Sequence, residues 1–265
     1  MKASYFGQMG YSDRSTFPST WPTPPGYIDS KTSVQSYQDG IEECEFAEEM
    51  GFDWISFSEH HYSGRIPTGT PSVMAAAVAE EWQAQGDKID PMTMPVTRSA
   101  NAAIDKVAHQ HAEVADMLAD YGDSDLLCYR ADSPEELVAR QAAQWDPMLD
   151  WAAETLGVRL EPRQGIMHAP QTPEALAELH RRTARLDAFE LAAFHDLVSL
   201  TGSLILGFAA LEQPFDPEEI WALSRLDENW QAEQWGRDDV AEQEAEIKRQ
   251  AFLHACAIIV LCKAA

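Results

Sequence analysis

Phe52 to Ser58 (FDWISFS) reads as a short apolar strand, and it runs directly into Glu59-His60-His61-Tyr62. A pair of imidazoles at the carboxyl end of a strand stands where a parallel α/β fold gathers its functional groups, so His60 is a candidate for chemistry. Two other histidine pairs read differently. His109-x-His111 has a spacing that aims its rings apart on a helix, which does not suit a metal. His195-Asp196 lies within an apolar helix and reads as a core or interface pair rather than a catalytic dyad. No Gly-x-Ser-x-Gly, phosphate-cradling Gly-Lys-Ser/Thr or His-Glu-x-x-His pattern is present. Cys44, Cys128, Cys256 and Cys262 are scattered without a Cys-x-x-Cys, as expected of a reducing compartment rather than a zinc or disulfide scaffold.

The elements around these residues change character near residue 80. Lys2 to Met9 reads as a strand, Ser12 to Ser33 as a Pro/Ser/Thr/Gly-rich loop, and Val34 to Met50 as a helix stopped by Gly51. With Phe52–Ser58 this makes a βαβ opening. From residue 81 the pattern is helical. Ser133-Pro134-Glu135, Thr172-Pro173-Glu174 and Asp216-Pro217-Glu218 each put a capping oxygen before a first-turn proline. Asp187 with Glu190 forms a capping-box pattern ahead of an apolar helix over 188–212. The pattern also predicts a long helix over 97–120, a kink or break at Pro147, a hairpin or extended connector within Val158–His168, and a final helix over 238–261. Gly202 and Gly207 are expected to allow close helix packing. The fold class is therefore mostly α: a helical domain over 81–265, preceded over 1–80 by a small, incomplete βαβ segment.

The net charge of −25 is carried by both parts, −7 over 1–80 (4 basic, 11 acidic) and −18 over the rest (15 basic, 33 acidic). Nucleic acid and anionic membrane surfaces are excluded as partners, and a basic or apolar protein face is favoured. The apolar run from Leu191 to Leu211 is interrupted by His195, Asp196, Ser199, Thr201 and Ser203, so a buried helix is expected rather than membrane insertion. The opening MKASYFGQMGYSDR has the features of neither a signal nor a transit peptide, which predicts a cytoplasmic, bacterial-type protein.

The block Trp221 to Asp239 is unusually rich in tryptophan and charge. Ile220, Leu223, Leu226 and Trp230 make one stripe, expected to face the core. Trp221, Arg225, Glu228, Ala232 and Trp235 make a second at helical spacing. Tryptophan among charges is common where proteins meet; a helix buried on two sides is the other reading.

Two resemblances bear on these alternatives. AEEMGFDWISFSEHHYSGR with TPSVMAAAVAE is similar to the opening of the luciferase-like flavin-dependent monooxygenases. That resemblance implies His60 at an FMN site. It spans about 80 residues, whereas a barrel of this type needs roughly 250. EEWQAQGDKIDPMTMPVTRSANAAID, DLLCYRAD, QAAQWDPMLDWAAETLG and the Leu223–Gly236 block, in that order, resemble the ATP synthase F1 complex assembly factor two family, the ATP12 chaperones. This second resemblance covers residue 81 onward. It implies a protein without turnover or cofactor that binds the free α subunit of the ATP synthase catalytic head and shields the surface β subunits later occupy. The surface it implies here comprises Glu228, Gln231, Glu233 and Trp235, supported by Asp227 and Arg225; Glu228 and Glu233 also fit as solvent-facing helix charges. Family members open with a small β-rich domain, and the luciferase-like segment stands in its place, as in a fusion joined within AAAVAEEWQAQG.

Overall fold

The computed structural model describes residues 4–7, 39, 50, 54–57, 71–86 and 88–263. The loop expected over 12–33, most of the helix expected over 34–50, and His60 lie outside the described residues. The chain divides into two compact units, residues 1–97 with 261–265, and residues 98–260.

In the first unit, β1 (Ser4–Gly7) and β2 (Trp54–Phe57) pair in parallel, Ser4 opposite Trp54 and Gly7 opposite Phe57. Both fall within the strands expected from the sequence, and parallel pairing is what a βαβ opening requires. α1 (Pro71–Gln83) follows. Its Glu81 carboxylate accepts from the backbone N–H groups of Val96 and Thr97, each at 2.7 Å, and from the Thr97 hydroxyl at 2.8 Å. A side chain of one helix thereby satisfies the first-turn donors of the next, α2 (Pro95–Asp105).

The long helix expected over 97–120 is instead three pieces. α2 ends at Asp105, a single 3-10 turn spans Val107–His109, and α3 runs from His111 to Ala119. The breaks fall at Lys106 and Gln110, both with φ of −124°. They bury Val107 and let the His111 ring meet the Leu186 carbonyl at 2.7 Å. α4 (Glu135–Trp151) runs through Pro147 without the expected break. Pro147 removes one helical hydrogen bond, but Trp145, Met148 and Leu149 around it are all buried, and that packing keeps the helix continuous. A π-helical turn, Ala152–Leu156, then ends at Gly157 in the left-handed region.

Of the proline-marked starts, two behave as read. Thr172 caps α5 (Pro173–Thr183) by accepting from Ala175 N–H, and Asp216 caps α8 (Pro217–Ser224) by accepting from Glu218 N–H. α6 (Ala188–Thr201) opens on the full Asp187/Glu190 capping box. Ser133 is the exception. Its hydroxyl turns to Asp132, and Pro134 takes the cap position of α4 with no side-chain bond.

The apolar helix expected over 188–212 breaks at Gly202, whose φ of +70° closes α6, and restarts at α7 (Leu204–Glu212) with Ser203 as its cap. Asp125 organises this break. Its fully buried carboxylate accepts from Leu127 N–H (3.0 Å), Ser203 O–H (2.8 Å) and Ile205 N–H (3.0 Å), while Leu126 N–H donates to the Gly202 carbonyl. Burial pushes the Asp125 pKa up to about 6 against these hydrogen bonds.

Every residue from Leu204 to Leu211 is buried. Phe194 of α6 meets Phe208 of α7 with ring centroids 4.8 Å apart. Gly207 makes this approach possible: a Cβ there would stand 2.6 Å from Val198 Cγ2 and 3.2 Å from the Phe194 ring. Gly207→Ala is expected to destabilise by about 1–3 kcal/mol through overpacking, measured by urea unfolding. Gly202 serves as a left-handed cap rather than a packing notch.

The connector Val158–His168 is extended, not a hairpin. Its β4 (Arg163–Gln164) pairs in parallel with β3 (Tyr129–Arg130). The chain continues into α9 (Leu226–Trp235) and α10 (Asp239–Lys263). Among the described residues no helix is long and apolar enough to cross a membrane.

Candidate partner-binding surface

The tryptophan-rich block is two helices, because Arg225 (φ −105°, ψ 14°) interrupts them. The two stripes drawn through it as one helix are therefore redistributed. Trp221, on the stripe that reads either as a partner face or as a second buried face, is buried with its ring 5.7 Å from Phe252. Trp230, placed in the core, is only half-buried beneath the Arg140 guanidinium, 4.6 Å away. Ile220 and Leu226 are buried as read, and Leu223 partly so.

α9 is fastened to α4 mainly through polar groups, Leu226 being its one buried residue. Arg140 donates to Glu233 Oε1 at 2.9 Å, and buried Gln141 donates to Asp227 Oδ1 at 2.7 Å. Trp145, fully buried, donates from Nε1 to the Leu223 carbonyl at 2.9 Å. The Arg140 hydrogen bond holds the Glu233 carboxyl below its usual range and raises the guanidinium in turn. Arg225 pairs with Glu228 and lies over the Trp221 ring at 5.7 Å. Such solvent-screened pairs orient the helix more than they stabilise it.

Of the six residues expected on this surface, Arg225 and Glu228 pair with each other, and Asp227 and Glu233 are bonded to α4. Glu228, Gln231, Glu233 and Trp235 are exposed, and Trp235 has 80% of its surface in solvent. Arg140, Gln141 and Trp145 support this surface and were not singled out from the sequence. The available signal was Gln141, a polar residue standing in line with Trp145 and Leu149 on the inward face of α4.

Other groups offer little chemistry. The His195 and Asp196 side chains meet at 3.0 Å but stand half in solvent rather than in a core. Burial pushes the thiols of Cys128 and Cys256 up to about 12, far from a reactive thiolate. Among the described residues no three His, Cys, Asp or Glu side chains are grouped to hold a metal ion.

An anchored, tryptophan-bearing acidic helix is the kind of surface that binding proteins offer to a partner. The chain belongs to the ATP12 chaperone family. Residues 63–153 match the family described as ATP12 chaperone protein. The crystal structure of Atp12 from Paracoccus denitrificans is 50% identical, with a TM-score of 0.71 over 75% of this chain and 86% of that one. Atu1473 from Agrobacterium tumefaciens is 41% identical, with a TM-score of 0.67 over 71% of this chain and 70% of that one. The mitochondrial protein atp12 of Schizosaccharomyces pombe is 27% identical over 174 residues, 62% of this chain. The chain spans 60% of that relative's length. The family is one of chaperones rather than enzymes, in agreement with the reading of a protein without turnover. Its match begins at residue 63, within the segment that resembled a luciferase-like opening. These comparisons support the ATP12 resemblance and lend no support to the flavin-dependent one or to a fusion.

Proposed function

We propose that this chain is a cytoplasmic assembly chaperone that holds the free α subunit of the ATP synthase catalytic head until its proper partner displaces it. The observation that carries this reading is Trp235, a large apolar ring held in solvent at the end of an anchored helix that also exposes Glu228 and Gln231 on the same side and Glu233 on the side toward α4. An unassembled subunit exposes apolar interface that is liable to aggregate. A tryptophan anchor with an acidic surround can cover such a surface without covalent chemistry, and the charges steer a basic face toward it. Release then requires only competition for the same surface. Nucleic acid is disfavoured as a ligand by the net charge of −25.

The test is capture of purified α subunit by the intact chain, with Trp235→Ala and Glu228→Ala alongside. Capture by the parent is expected, with Trp235→Ala weakening it at least tenfold, as for an interface hot spot, and Glu228→Ala weakening it less. A parent that is folded by circular dichroism yet captures no α subunit overturns the proposal.

A further inference from the structure

α10 is in contact with the rest of its unit along only half its length. From Phe252 to Ile259 it buries Phe252, Ala255, Cys256, Ile258 and Ile259. Residues 239–248 contain no buried side chain, although the helix is continuous through them. Arg249, bonded to Glu246 at 2.8 Å and paired with Glu218 of α8, marks where it leaves the body.

The bare half is not uniformly polar. Val240 is 67% exposed and Ile247 64%. At 3.6 residues per turn, Val240, Ile247, Ala251 and Ile258 project within about 20° of one line along the helix. Ile258, at the inner end of that line, is buried. One apolar face thus serves the core at one end and continues, uncovered, beyond it. Val240 and Ile247, two turns apart on that face, offer a partner two apolar contacts in line.

The surrounding charge limits what can cover it. Asp239, Glu242, Glu244 and Glu246 are exposed on these turns against Lys248 as the one cation between residues 239 and 248. A second copy would bring another net charge of −25 against the first. We propose that the outer half of α10 is a second docking stripe, which receives an apolar segment flanked by lysine or arginine on the client subunit. This rests on the chaperone reading above and extends its contact beyond α9. Val240 and Ile247 are the anchors, and the carboxylates form the rim.

The experiment measures affinity of the full-length chain for purified α subunit with Val240→Asp/Ile247→Asp and, separately, Val240→Ala/Ile247→Ala. Both double variants should keep the parent's circular dichroism and melting temperature, because neither side chain is buried. The aspartate pair is expected to weaken binding at least tenfold and the alanine pair several-fold. Unchanged binding in both, with Trp235→Ala still defective, overturns the stripe and leaves the chaperone reading standing. Absence of capture by the parent overturns both. A parent dimer in sedimentation that the aspartate pair abolishes overturns the client assignment in favour of self-association.

Discussion

Asp125→Ala is expected to lower stability by about 3–5 kcal/mol, a large share of the total for a domain of this size. The carboxylate is fully buried and accepts from Leu127 N–H, Ser203 O–H and Ile205 N–H. Alanine would leave these donors in the interior without partners, each at roughly 1–3 kcal/mol, with some relief from local relaxation. The sign of the pH dependence follows from the raised pKa of about 6 against an ordinary 3.8. A carboxyl whose pKa is raised by folding binds its proton more tightly in the native state. Its contribution is therefore fully present below about 3.8 and is lost as pH rises through about 6, on the order of 3 kcal/mol. Glu178 and Glu246, held down to about 2 by arginine, act in the opposite sense and in a lower window, losing their contribution as pH falls below about 4.5. These groups are common to the parent and to Asp125→Asn, so they cancel in the difference. Urea titrations of both proteins from pH 4 to 7 should show the parent losing stability relative to the asparagine variant. A constant difference would mean that Asp125 does not titrate in this window.

The second large effect is expected at Trp145. It fills the space beneath the α8–α9 junction with no exposed surface, holds the Leu223 carbonyl, and carries the Arg130 guanidinium 5.3 Å from its ring. Trp145→Ala should cost about 3–5 kcal/mol and lower the melting temperature by roughly 10 °C. Trp145→Phe keeps most of the ring volume and loses the hydrogen bond to Leu223, for about 1–2 kcal/mol. If the indole N–H fixes the junction, the phenylalanine variant should show faster amide exchange over residues 223–235 than over α7, even where its global stability is near the parent's. Equal acceleration in both regions would reduce Trp145 to a space-filling role.

What could be read beforehand follows the range of the interactions involved. Thr172, Asp216 and the Asp187/Glu190 pair announce helix starts because each bonds to backbone within three residues. Gly202 did not announce a break, since strongly apolar sequence resumes directly after Thr201-Gly202-Ser203. The partner that shapes the break is Asp125, far back in the chain. The stripe through Trp221 and Trp235 assumes one helix through Arg225; the interruption there separates the two, leaving Trp221 buried and Trp235 exposed. The acidic and aromatic character of α9 was legible from residue types alone. Arg140 and Gln141, which hold it, lie some 90 residues away and give no local sign of their partners. Val240 and Ile247 give little sign of themselves in the sequence, because the early part of the last helix is dominated by charge.

The inner half of α10 also bears on how the chain reaches its native state during synthesis. α6 and α7, the most apolar part of the sequence, leave the ribosome well before Phe252, which meets Trp221 in the finished fold. Until residues 252–259 follow, five side chains that end up buried are absent from the interior, and Trp221 lacks the ring it packs against. The nascent chaperone thus passes through an interval in which it carries the hazard it is proposed to suppress in its client, and the length of that interval is set by the rate of elongation. Slowing translation downstream of Leu211 should lower the soluble yield, whereas slowing it upstream of Asp187 should not.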